Sequence, residues 1–188
     1  TFTFVGSLTN NATSTLTAAG QTHHEGHSGY VIAAGGGRSG LDENLAGWIG
    51  PSAASPDKIL RNVGARPGDA LILGKPLGVG IYSAALKKGC LSAEHYRTML
   101  ASTTQLNTPG IALGQLSGVH ALTDVTGFGL LGHLLEICRA SHIGAAIDVA
   151  RVPLHPGVQE LARDGIFTGA SARNWAGYGG EVDGGSAS

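Results

Sequence analysis

Cysteine is nearly absent from this chain. Cys90 and Cys138 stand 48 positions apart and form no C-x-x-C pair, so a disulfide framework and a clustered thiolate metal site are both disfavoured. Each lies in an apolar, helical context, which suits a reduced, interior cysteine. Charge is also scarce: 13% of residues are charged, for a formal net charge of −1. That gives no electrostatic case for DNA, RNA or an anionic membrane surface. No run of about 18 apolar residues occurs, and the first ten residues lack the basic start and apolar core of a secretory leader. Asn11-Ala12-Thr13 fits the glycosylation pattern, but nothing else points to secretion, and the expected location is cytoplasmic. Met99 is the only methionine, so Thr1 is read as a processed start or the edge of a fragment.

Glycine, by contrast, is abundant. The 31 glycines have no G-X-Y period, which excludes collagen, and with 42% hydrophobic residues the chain can bury a core. Residues 1–56 are rich in Thr, Ser, Asn, Gly and Ala, with Tyr30–Ala34 as the one plausible strand and Gly35–Gly40 as a loop or linker. Regular patterning begins near Pro56. Arg66-Pro67-Gly68-Asp69 is turn chemistry, and Ala70–Leu73 behind it reads as a buried strand. Val79, Ile81, Tyr82, Ala85 and Leu86 follow helical spacing, closed by Lys87, Lys88 and Gly89. Ser92 can N-cap a second helix through Tyr96, Met99 and Leu100. Asn107–Gly110 interrupts it, and a short helical stretch is expected over 111–116. Strands at 119–123 and 145–149 flank a helix over 127–139, and Pro156 or Gly157 opens another carrying Val158, Leu161 and Ala162. This alternation argues for layered helices and strands. The tail beyond Tyr178 has little to bury and is expected to fray.

One stretch concentrates the chemistry: Thr123-Asp124-Val125-Thr126-Gly127-Phe128-Gly129-Leu130-Leu131-Gly132-His133. Gly127, Gly129 and Gly132 spell a formal G-x-G-x-x-G between a strand and a helix, with Asp148 on the next strand, the outline of a dinucleotide unit. Two details oppose that reading. Asp124, Val125 and Thr126 separate the strand from the first glycine, and the Asp124 carboxylate would face a pyrophosphate. Like unit charges about 4 Å apart repel by about 4 kcal/mol at an effective dielectric near 20, which one or two hydrogen bonds of about 1 kcal/mol do not offset. A divalent cation reverses the sign: Asp124 then holds Mg²⁺, and the ion attracts phosphate. Thr123 or Thr126 can add a hydroxyl. The plain alternative is that Asp124 caps the helix while Gly129 and Gly132 permit close packing.

Other candidates carry weaker signals. Lys75 in Gly74-Lys75-Pro76-Leu77-Gly78 is not a Walker A lysine, and its spacing fits an ordinary exposed side chain. His23-His24-Glu25-Gly26-His27 is not H-E-x-x-H and reads as a polar loop. His133 on an apolar helix face fits a satisfied core histidine, and Asn174 fits either a cap or a ligand-facing amide.

These segments together resemble the C-terminal domain of selenophosphate synthetase (selenide, water dikinase), within a superfamily that includes aminoimidazole ribonucleotide synthetase. The stretches that carry the resemblance are Asp57–Asn62, Pro67–Leu73, Lys75–Gly78, Thr123–His133 and Gly169–Asn174, in order over residues 57–182. The resemblance implies an α+β layered domain with helices packed on a mixed β-sheet, preceded by a poorly matching remnant and linker over residues 1–66. It implies an ATP-dependent phosphotransferase that converts ATP, selenide and water into selenophosphate, AMP and phosphate, with Mg²⁺ as cofactor. The intact enzyme is then a homodimer with ATP and selenide as its small-molecule partners, and it engages neither nucleic acid nor membrane. Asp124 falls on the family's Mg²⁺-holding aspartate. Gly20, Gln21 and Thr22 fall on its nucleotide-contacting G-G-H-[ST] stretch, where Ala19 replaces the first glycine, and Gly74 stands where the family usually has threonine. The resemblance places the family's catalytic Cys or selenocysteine, its neighbouring Lys and several metal-binding aspartates in an N-terminal domain, on a glycine-rich segment and following strands with no counterpart among these 188 residues. The expectation is therefore an incomplete copy, without a catalytic residue and without turnover by itself. A non-catalytic fragment, an ATP-binding relative of the purine-biosynthesis synthetases and an NAD-binding Rossmann domain remain the alternatives.

Overall fold

The computed structural model describes residues 3–9, 16–19, 29–34, 60–107, 109–113 and 116–184; for the first three segments it describes the backbone. Three strands come from the N-terminal part: β1 (Thr3–Thr9), β2 (Leu16–Ala19) and β3 (Gly29–Ala34). Then follow β4 (Ala70–Leu73), α1 (Val79–Lys87), α2 (Ala93–Thr104), α3 (Pro109–Leu113), β5 (Val119–Val125), α4 (Gly129–Ser141) and β6 (Gly144–Asp148). A 3-10 turn at Val149–Arg151, α5 (Val158–Arg163), α6 (Ser171–Tyr178), a second 3-10 turn at Gly179–Glu181 and β7 (Val182–Asp183) complete the order.

The strands form one sheet in the order β5-β3-β4-β1-β6-β2-β7. Pairing is antiparallel from β5 to β6 and parallel where β2 meets β6 and β7. The sheet therefore crosses the boundary expected near residue 66. β1 and β3 lie between strands of the later segment, so residues 3–34 supply two strands beyond the one expected from sequence. Hydrogen-bond partners fix that placement: Tyr30 is opposite Asp124, and Ser7 is opposite both Ala70 and Ala146.

Local chemistry explains the helices. Ser92 Oγ accepts the N–H of His95 at 3.1 Å and opens α2. Pro109 is the first residue of α3, where a missing N–H costs nothing. Two apolar clusters result. In the larger, Leu130, Leu134, Leu135, Ile137 and Cys138 of α4 press on Leu71 and Leu73 of β4, Ala121 and Val125 of β5, and Ala145 and Ile147 of β6. In the smaller, Ile81, Tyr82 and Ala85 of α1 meet Val158 and Ile166. Cys138 is fully buried, and burial pushes its thiol up to about 11; Cys90 is exposed. The C-terminal segment is ordered farther than expected. Val182 and Asp183 pair with β2, and Arg139 Nε donates to Glu181 Oε2 at 3.1 Å, tying α4 to the second 3-10 turn.

Lys75 corrects the sequence reading most directly. Its side chain is buried, and its ammonium donates to the carbonyls of Ser102 (3.2 Å) and Gln105 (2.6 Å) at the end of α2. Those terminal carbonyls have no intrahelical partner, and a cation there also meets the negative end of the helix dipole. Ser102 Oγ in turn lies 3.1 Å from His155 Nε2. Burial and the Lys75 charge both lower the pKa of His155. Its folded value therefore lies below the unfolded one of 6.5, and the unfolded chain takes up a proton first as the pH falls. Stability is expected to be full above about pH 6.5 and to decline as the pH drops from there towards the folded value. Urea titrations at pH 7.5 and 5.5 should show this loss, and His155→Gln should flatten it; an unchanged slope in that variant would remove His155 as the cause.

Candidate metal and nucleotide site

The candidate site is built at the end of β5. Ala121 and Val125 enter the core beneath α4, so Asp124, between them in the alternation, points to the opposite face. It is half-buried, and among the described residues no hydrogen bond or ion pair reaches its carboxylate. The capping alternative fails on geometry. α4 begins at Gly129 with Phe128 as N-cap and no side-chain cap, five residues beyond Asp124.

The turn that follows is clamped from several sides. The Gly129 N–H donates to the Thr126 carbonyl at 2.9 Å, and Gly129 adopts φ +75°, which favours glycine. Asn174 Nδ2 donates to the Gly127 carbonyl at 2.6 Å, and the Tyr178 hydroxyl donates to the Phe128 carbonyl at 2.9 Å. A Cβ at Gly132 would lie 2.8 Å from Phe128 Cβ and 3.1 Å from Tyr178 Cε1, so this glycine lets α6 and the turn close onto α4. Gly127 also borders an open cleft of about 560 Å³ walled by α1, α2 and residues 167–170.

Sequence reasoning missed a connected set of side chains here. Thr126 Oγ1 lies 2.9 Å from His133 Nε2, and His133 Nδ1 lies 3.1 Å from Glu136 Oε2. His133 is buried and Phe128 tilts across its ring. The i, i+3 spacing of His133 and Glu136 signalled the second contact; the first crosses the turn and carried no local signal. Asn174 is a buried amide that donates to the Gly127 carbonyl of the turn.

The dinucleotide outline does not survive the topology. Among the described strands β3, β4 and β1 separate β5 from β6, whereas the Rossmann turn sits between closely paired parallel strands. Asp148 accepts the Ala150 N–H at 3.1 Å and caps the 3-10 turn. Gly20, Gln21, Thr22 and the histidines at 23, 24 and 27 lie outside the described residues. Among the described residues no group of three His, Cys, Asp or Glu side chains could hold a metal ion, and no helix is long and apolar enough to cross a membrane.

Residues 66–173 match the family described as AIR synthase related protein, C-terminal domain. The chain belongs to that family, and its helices and strands are mixed accordingly. Curated relatives that it matches include selenide, water dikinases. The protein of that name from Pseudomonas straminea is 56% identical over 153 residues, 81% of this chain and 43% of the relative. Those from Burkholderia orbicola (strain MC0-3) and Rhizobium meliloti (strain 1021) are 52% and 47% identical over 152 residues, again 81% of this chain and 43% and 44% of the relatives. The chain thus spans under half the length of the curated relatives it matches.

Proposed function

We propose that this chain supplies one Mg²⁺ ligand, Asp124, to an ATP-dependent selenophosphate-forming site. The observation that carries the reading is a carboxylate, Asp124, with no hydrogen bond or ion pair among the described residues, on a clamped strand end within a sequence 56% identical over 153 residues to a selenide, water dikinase. Mg²⁺ typically takes one or two protein carboxylates and keeps several waters, so Asp124 is a fitting single contribution to its shell. When bound, the ion supplies neutralisation of phosphate charge. The chain's own part is to hold the carboxylate still. β3 pairing and the Asn174 and Tyr178 hydrogen bonds fix the backbone, and electrostatic help is largest where the charged group needs no reorganisation.

In this reading ATP, selenide and water give selenophosphate, AMP and phosphate, and a dimer of the longer enzyme carries the reaction. Neither Cys90 nor the buried Cys138 is a nucleophile here, and the 188 residues alone are expected to show no selenide-dependent AMP release. The decisive experiment is a hybrid in which residues 66–173 replace the matching stretch of the Pseudomonas straminea relative. Selenophosphate detected by ³¹P NMR supports the reading; a folded hybrid that makes none sinks it.

A further inference from the structure

α1 has two working faces. Ile81, Tyr82 and Ala85 are buried against Val158 and Ile166. Gly80, Ser83, Ala84 and Lys87, at helical spacing on another side, line the open cleft of about 560 Å³. That volume suits an organic ligand of moderate size, and the metal reading of Asp124 uses none of these side chains. Much of the wall is apolar, with Met99 from α2 and Phe167 from the segment before α6; Phe167 is 52% exposed. The polar groups are not spent elsewhere. Among the described residues the Ser83 hydroxyl and the Lys87 ammonium have no hydrogen bond or ion pair, and they stand one helical turn apart. Lys88 joins them, its ammonium in a long contact of 3.4 Å with the Gly165 carbonyl. No Asp or Glu occurs among the described residues that line the cleft. The carbonyls of Ala84, Ala85 and Leu86 at the end of α1 already accept the N–H groups of Lys88, Cys90 and Gly89, so they offer little negative charge to a ligand.

We infer that this cleft binds a phosphate monoester carrying an aromatic ring, the nucleoside monophosphate class, with its phosphate at Ser83, Lys87 and Lys88 and its ring on Phe167. Charge complementarity sets the anion. Two lysines without a carboxylate match a phosphate monoester, which carries about −1.5 to −2 at neutral pH; a carboxylate ligand would match only one of them. The Ser83 hydroxyl adds a donor, and the ester supplies three acceptor oxygens. The position of Phe167 sets the rest. It stands two residues from Gly165, whose carbonyl Lys88 contacts, so the aromatic surface and the cations share one end of the cleft. A ring stacked there covers exposed apolar area, and every nucleic-acid base offers a face for it. Inorganic phosphate would leave Phe167 bare, and an uncharged ring would leave the lysines unused. No metal ion enters this set of contacts, so the inference does not depend on Asp124.

The test is a calorimetric titration of AMP into the whole 188-residue chain, in EDTA so that no divalent ion takes part. AMP should bind saturably at one site and shift the backbone amide signals of Ser83, Lys87 and residues 167–170. Adenosine and inorganic phosphate, each carrying half of the recognised chemistry, should bind at least about 10-fold more weakly than AMP. Ser83→Ala and Lys87→Ala should each weaken AMP by about 2- to 5-fold, the range of exposed polar contacts. Phe167→Ala should weaken it by about 5- to 100-fold, as loss of a stacking ring does, and Phe167→Tyr should restore it. Arg163→Ala removes an equal charge from α5, off the cleft, and should bind as the unaltered chain does. Three results overturn the inference: no saturable AMP binding at millimolar concentration, amide shifts confined to another surface, or undiminished binding in folded Lys87→Ala and Phe167→Ala. Equal losses in Arg163→Ala and Lys87→Ala also overturn it, because the attraction is then general charge. Each of these leaves the Mg²⁺ reading of Asp124 standing, since the hybrid enzyme tests that separately.

Discussion

Asp124→Asn in the hybrid enzyme is expected to lower selenide-dependent AMP formation by about 10²- to 10³-fold, the loss typical of removing one preorganised electrostatic contact, while the melting temperature stays unchanged. The two outcomes separate because of what Asp124 does not do. Its carboxylate has no partner among the described residues, and α4 starts without a side-chain cap, so the fold gains nothing from its charge. Asparagine keeps the size and the β5 pairing opposite Tyr30, and a near-isosteric change that removes no contact is expected to stay within about 0.5 kcal/mol. The Mg²⁺ concentration for half-maximal rate should rise together with the loss of rate. A variant that unfolds at lower temperature and loses activity in proportion would mean that Asp124 is structural. Retention of more than half the rate would remove it from the site altogether.

What the sequence made legible was what is local. β4 was expected at Ala70–Leu73 and lies there; Ser92 caps α2, and Gly89 ends α1 with φ +71°. Each is a matter of apolar spacing and a nearby capping group. The charge argument at Asp124 was local too, since it needed only a carboxylate next to a glycine turn. Burial of Lys75 was not legible, because its acceptors lie 27 and 30 residues onward at the end of a different element. Asn174 meets Gly127 across 47 residues, and Thr126 meets His133 across a turn whose course no propensity fixes. β1 and β2 left no pattern: Thr3–Thr9 mixes polar residues with a central glycine, and Leu16–Ala19 is four residues long. Such strands are specified by their partners in the sheet and not by their own alternation. The mixed helix and strand class was thus readable while the sheet order was not, and neither were the side chains holding the turn after Asp124.

The largest stability effect is expected at Gly78, the last residue of the Lys75–Gly78 stretch and the N-cap of α1. Its φ of +119° at ψ 0° lies well beyond the left-handed region that other residues tolerate, so any side chain incurs about 1–3 kcal/mol of backbone strain. The space is closed as well. A Cβ at this position would stand 2.9 Å from Val158 Cγ1 and closer still to Cγ2, and Val158 is completely buried against Ile81, Tyr82 and Ala85. Crowding a packed core adds a further 1–3 kcal/mol, so Gly78→Ala should lose about 2–6 kcal/mol in urea unfolding, a large part of the 5–15 kcal/mol that holds a typical domain. Gly89→Ala is the matched comparison. Gly89 also has positive φ, +71°, but nothing lies within 4 Å of its added Cβ, so only a conformational cost of about 1 kcal/mol is expected. A double-mutant cycle separates the two causes at Gly78. Val158→Ala opens the space without altering φ, so the Gly78→Ala penalty should shrink by about 1–2 kcal/mol in that background and the strain should remain. If the penalty is the same in both backgrounds, Val158 does not crowd the site and the loss is backbone strain alone. If Gly78→Ala and Gly89→Ala cost the same, the close approach of α5 to the start of α1 is not what requires glycine there.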